Sequence, residues 1–162
     1  MAEVAASPVS TATKTAGPAR VRSAATAGVI ATFVSLTAGY WIPAVGLIRL
    51  DFASLNGNLL VPDTTAVSFA WTVGLVHTCA LGAILAVVYS AWVRQRLPGS
   101  AWLRGAIWGA VVGVVSGLTI FPLLYGAGAF GLDWDPAAPI ALAIWHLVWG
   151  LTLGGLEQLR LF

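Results

Sequence analysis

Residues 105–132 read GAIWGAVVGVVSGLTIFPLLYGAGAFGL, 28 positions without a charged side chain between Arg104 and Asp133. A helix crossing the hydrocarbon core of a bilayer needs about 20 consecutive, mostly apolar residues, so this stretch asks for lipid around it. Three further runs repeat the pattern. Residues 23–48 supply 26 uncharged positions, residues 64–93 supply 30, and residues 136–156 supply 21. Four such runs in a chain of 162 residues predict an all-α fold, a polytopic four-helix bundle in a membrane. The expected spans are 22–48, 65–93, 101–127 and 136–159.

Composition points the same way. The chain is 59% hydrophobic and 9% charged, with a mean hydropathy of +0.88, whereas soluble domains are about 25% charged. No water-soluble fold could hide this much apolar surface. The net charge of +2 gives no reason to expect a nucleic-acid partner, because the basic residues are accounted for by topology. Lys14, Arg20 and Arg22 precede the first span, Arg94, Arg96 and Arg104 bracket the second connection, and Arg160 follows the last span. With four crossings these seven of the eight basic residues share one side, and Arg49 alone joins Asp51, Asp63, Asp133 and Asp135 on the other. The positive-inside rule then places both termini in the cytoplasm of a cell whose inner membrane holds the protein. Residues 1–21, rich in Ala, Ser, Thr and Pro, are expected to be a disordered cytoplasmic tail because they have too little apolar area to order themselves. Residues 22–162 form the membrane domain.

Local signals refine the spans. Tyr40, Trp41, Trp71, Tyr89, Trp92, Trp102 and Trp108 fall near expected span ends, where amphipathic rings prefer the interface. The loop 50–65 contains Asn56-Gly57, a turn signal, and its Phe52, Leu55 and Leu59 are expected on the membrane surface. Pro122 should kink the third helix, and Pro136 suits the first turn of the fourth. A parallel internal repeat is expected: Gly28 matches Gly109 and Ser35 matches Ser116 at one offset, Pro43 and Pro122 follow at similar depth, and His77 pairs with His146. Two pseudo-repeated helix pairs would result.

Gly105, Gly109, Gly113 and Gly117 recur every fourth residue, and Gly150 and Gly154 do so in the fourth span. That spacing puts each set on one helix face. Lipid tails are as apolar as Leu, so helices associate through close backbone approach, which small residues permit. Packing within the bundle is the plain reading. A homo-oligomer seam or a narrow pore is the alternative.

His77 and His146 lie near the middle of the second and fourth runs. A polar side chain there is costly and faces the bundle interior with a partner. Two neutral imidazoles at one depth would suit a b-type haem held from both sides; two structural histidines bonded to backbone or hydroxyl groups, or a pair handling protons or substrate, are the competing readings. The lone Cys79 offers neither a disulfide nor a metal cluster. Catalysis finds little support, since no carboxylate falls inside the four runs, and Glu157 lies eleven residues beyond His146, about 16 Å along a helix. Glu157 and Arg160, three residues apart, read as a surface pair. The functions left open are a non-enzymatic accessory, assembly or structural role, a haem-bearing electron-transfer subunit, and a small transporter or channel. Partners beyond the bilayer would be further copies of the chain or a larger membrane complex.

The segments VHTCALGAILAVVY (76–89), LRGAIWGAVVGVVSGLTIFPLLYGAG (103–128) and PIALAIWHLVWGLTLGGLE (139–157) resemble the small four-span inner-membrane proteins of bacteria and archaea of the YagU-like kind. The resemblance covers residues 22–159, and His77, Gly82, His146 and Gly150 are the matching positions. It implies a polytopic membrane protein and carries no activity or cofactor with it.

Overall fold

The computed structural model describes residues 17–62 and 65–162, so most of the expected N-terminal tail lies outside the described residues. Among the described residues the chain is all-helical. Helices α1 (Pro18–Leu36) and α2 (Ala38–Ala44) make one 27-residue span interrupted at Thr37, and α3 (Phe52–Leu60) follows. Helix α4 (Val67–Val88) runs on through a π-helical turn, Tyr89–Val93. Helices α5 (Ala101–Leu118) and α6 (Ile120–Leu123) form the third span, and α7 (Ala138–Gln158) is the fourth. All four spans are long and apolar enough to cross a bilayer. Their outward faces carry Phe33, Val76, Ile84, Val115 and Ile140, each more than half exposed. A soluble monomer rarely shows contiguous apolar surface on that scale.

Helix ends follow from single residues. The first span stops at Ala44, four residues short of the expected limit, because Gly46 takes φ +82°. The Gly46 N–H reaches the Pro43 carbonyl at 3.0 Å and the Leu47 N–H reaches that of Ile42 at 3.4 Å, the hydrogen bonds of a Schellman stop. In the third span Pro122 has no N–H for the Leu118 carbonyl and its ring crowds that carbonyl; the helix breaks at Thr119, one turn earlier. The proline in the first turn of α7 is Pro139 rather than Pro136. Ahead of it, the Asp135 carboxylate accepts the Ala137 N–H at 2.7 Å.

The largest departure from expectation is α3. Asn56-Gly57 is no turn: both residues sit inside a helix whose N-terminus is capped by Asp51, which accepts the Ser54 N–H at 3.1 Å. The two residues are used sideways, against α4. A Cβ on Gly57 would strike the Ala70 backbone, and one on Gly74 would strike that of Ala53. Those pairings make α3 antiparallel to α4 and set its first turn beside Gly74, seven residues into α4, or about 10 Å below its start at 1.5 Å per residue. Phe52 is therefore buried in the bundle instead of lying on a membrane surface, whereas Leu59 remains 44% exposed.

Backbones pack in the order α3, α4, α1, α7, α5. Two crossings are built alike: Gly28 of α1 meets the Gly82 carbonyl of α4, and Gly109 of α5 meets the backbone of α7 at His146 and Gly150. In each pair the first helix also breaks ahead of a proline, at Thr37 before Pro43 and at Thr119 before Pro122. Side chains close the ring, with the Trp108 indole of α5 donating to the Leu85 carbonyl of α4 at 3.3 Å.

Candidate functional site

In a bundle bathed by lipid, the polar side chains between helices are the groups that could hold a ligand or carry chemistry. His146 is buried. Its Nδ1 lies 2.9 Å from the Leu142 carbonyl one turn earlier, so Nδ1 carries the proton and donates. The ring rests on Gly113, is 6.1 Å from the Phe52 ring and 5.2 Å from that of Trp145. His77 is half-buried on α4, and its Nδ1 is enclosed without a hydrogen-bond partner among the described residues. No hydrogen bond or ring contact among the described residues joins the two histidines. Helix α4 packs on α1 and α3, whereas α7 packs on α1 and α5.

The glycine faces have distinct neighbours. Gly105 lies against the backbone at Gly150 and Gly154, Gly109 against His146 and Gly150, and Gly113 against the His146 ring. Gly117 receives the ring of Phe130, a residue held at φ +56° in the loop that follows. Gly150 and Gly154 return the contacts from α7, at Gly105, Gly109, Ala101 and Trp102.

Two polar clusters escaped the sequence reading. At the end of the bundle that carries the termini, Glu157 accepts from Arg104 at 2.6 Å and from the Tyr89 hydroxyl at 2.5 Å. The expected Glu157–Arg160 pair is thus replaced, because Glu157 turns inward while Arg160 sits past the helix end at φ +58°. Tyr89 is fully buried, and the π-helical turn that begins with it shifts the register of the last turn of the second span; such bulges recur at functional sites. Beside the triad, the Ser90 hydroxyl and Arg104 Nε are enclosed without partners among the described residues. One signal was present in the sequence: Glu157 is the only acid on the expected cytoplasmic side besides Glu3.

The second cluster sits toward the loop end. The Tyr125 hydroxyl donates to Asn56 Oδ1 at 2.9 Å, Asn56 Nδ2 donates to the Thr78 hydroxyl at 2.8 Å, and Thr78 donates to the Gly74 carbonyl at 2.7 Å. The Gly74 carbonyl can only accept, so Thr78 must donate to it, and this fixes the direction of the whole relay back to the hydroxyl of Tyr125. Its ring stacks on Trp134, with centroids 6.1 Å apart, and Phe121, Phe52 and Trp145 continue the aromatic layer inward. Alongside opens a cavity of about 280 Å³ lined by Arg49, Leu50, Asp51, Ser54, Leu55 and Trp134.

Among the described residues no group of three or more His, Cys, Asp or Glu could hold a metal ion. Comparison with protein-family models, curated proteins and solved structures found no match for the chain.

Proposed function

We propose that this chain is a multi-pass protein of the cell's inner membrane, with both termini cytoplasmic, serving a non-enzymatic role as an accessory or assembly component of a membrane complex. The supporting observation is that most polar groups between the helices are engaged, while His77 Nδ1, Ser90 Oγ, Arg104 Nε and Trp145 Nε1, which have no partner among the described residues, are sealed in rather than turned toward a cleft. Glu157 is engaged by Arg104 and Tyr89, Asn56 by Thr78 and Tyr125, His146 by its own helix, and the Trp149 indole donates to Thr32 at 3.2 Å. Polar side chains engaged with one another hold helices in register; a catalyst needs some turned toward a substrate. The glycine face of α5 is occupied by α7 and Phe130, so further copies or partners would dock on other faces. Reporter fusions at each terminus and in each loop test the topology: both termini must report cytoplasm, and residues 45–66 and 124–137 the opposite side. Cross-linking in intact membranes followed by affinity purification should recover defined partner proteins.

A b-type haem is the second reading, supported by the His146 Nδ1–H bond to a carbonyl, the arrangement that orients a metal-ligating imidazole, and opposed by the packing of α4 and α7 on α1 rather than with their histidines in contact. An absorption spectrum of the purified protein, expressed with haem supplied, separates the readings. A Soret band lost in both His77→Ala and His146→Ala would establish haem, and a colourless protein would end that reading.

A further inference from the structure

Among the described residues, Arg49 is the one basic residue at the end of the bundle that carries the acidic loops. The Schellman turn at Gly46 sends the chain back along α2, so the Arg49 guanidinium lies over the Tyr40 ring, 5.8 Å from its centroid. Its only ion pair among the described residues is long, 3.6 Å to Asp51 Oδ2. Asp51 is already engaged, with Oδ1 accepting the Ser54 N–H at 3.1 Å and Oδ2 the Ser54 hydroxyl at 3.0 Å. The acid is therefore committed to starting α3, while Arg49 makes no hydrogen bond to the described residues and is 58% exposed. A guanidinium offers five N–H donors in a planar fork that matches phosphate oxygens.

The surroundings fit a lipid headgroup. Arg49, Ser54 and Trp134 face the cavity of about 280 Å³, which is wide open to the outside and has room for a phosphate. Trp71 and Tyr40 flank Arg49 on its other side, and aromatic rings of this kind mark headgroup depth. Exposed Val45, Leu59 and Leu132 supply apolar surface around the same end of the bundle. Asp51, close by, repels a dianion more than a singly charged phosphodiester.

We propose that the Arg49 cavity is a binding site for a phosphate group, presented by a phospholipid headgroup or as free phosphate. The site rests on the membrane reading above for its lipid source, and on Arg49 alone for its chemistry. The test is thermal unfolding of the full chain in detergent while dioctanoyl phosphatidylglycerol, dioctanoylglycerol or inorganic phosphate is titrated at constant ionic strength. Phosphatidylglycerol should raise the unfolding temperature saturably in the wild type. Arg49→Gln should weaken the apparent affinity tenfold or more, Arg49→Lys should retain part of it, and dioctanoylglycerol should do nothing. A response to inorganic phosphate that matches the lipid and vanishes in Arg49→Gln assigns the site to free phosphate. Equal responses in wild type and Arg49→Gln, equal responses to dioctanoylglycerol, or no response to any of the three overturn the proposal. Recovery of the chain as a monomer without detergent would instead remove the membrane reading and leave the Arg49-dependent phosphate arm standing.

Discussion

Glu157 shows how much one side chain decides. It stands between Arg104 and Tyr89, joining the third and fourth spans to the π-helical end of the second. Removing it takes the acceptor from the buried Tyr89 hydroxyl and the counter-charge from a guanidinium that is 25% exposed and also donates to the Gly99 carbonyl at 2.8 Å, a cost of about 3 kcal/mol, at the low end for a buried pair. Removing the Tyr89 hydroxyl deletes one hydrogen bond to a charged acceptor and leaves the ion pair, a loss of about 1.5 kcal/mol. Glu157→Ala should therefore unfold at a clearly lower temperature than Tyr89→Phe in the same detergent; equal losses would show that the ion pair adds nothing. The isolation of Glu157 among the expected cytoplasmic-side residues was legible in the sequence, but its partners were not, because they lie 53 and 68 positions from Glu157 and no local pattern links them. His146 is the opposite case. Its depth and its need of a partner were readable from an uncharged run, and its carbonyl partner Leu142 is a local one. Which neighbour faces each histidine was not readable, since that depends on which helices adjoin.

At the scale of elements, the four spans were legible because lipid admits so few solutions: an uncharged run of sufficient length must be a helix. Helix α3 was not. Its nine residues are too few to register as a span, and Asn56-Gly57 carries the local chemistry of a turn. Tertiary contact overrides that preference, since Gly57 and Gly74 let the two backbones touch and Asn56 bonds to Thr78. Gly74→Val should accordingly detach α3 while leaving all four spans inserted. With Cys79 replaced by Ala and the fully buried Ala53 by Cys, labelling by a membrane-impermeant maleimide should rise severalfold when the Gly74→Val change is added. Unchanged labelling would mean that α3 is held by contacts other than the Gly74 crossing.

For the whole molecule, the two glycine crossings divide the bundle into α1 with α4 and α5 with α7. The halves are joined by the packing of α1 on α7 and by four side-chain hydrogen bonds: Trp149 to Thr32, Trp108 to Leu85, Tyr89 to Glu157, and Tyr125 to Asn56. Each half contains two spans, so cutting the chain between Pro98 and Gly99 leaves both fragments with both ends on one face. Helices inserted separately can associate afterwards. Fragments 1–98 and 99–162, expressed together, should co-purify in mild detergent, and Thr32→Val with Trp108→Phe should weaken their association. Failure of the intact fragments to co-purify would mean that the connection itself, rather than the interface, holds the halves together.

The dip of α3 into the bundle also fixes an order of events during synthesis. A segment this short, preceded by Arg49 and Asp51, gives the insertion machinery nothing to retain, and its docking groove does not exist until the second span has emerged from the ribosome and entered the bilayer. Segment 45–62 must therefore wait outside as an unstructured loop and fold backward onto a helix made after it. Defects in that groove would surface as slow maturation and early proteolysis of newly made chains, while the mature population kept its normal orientation.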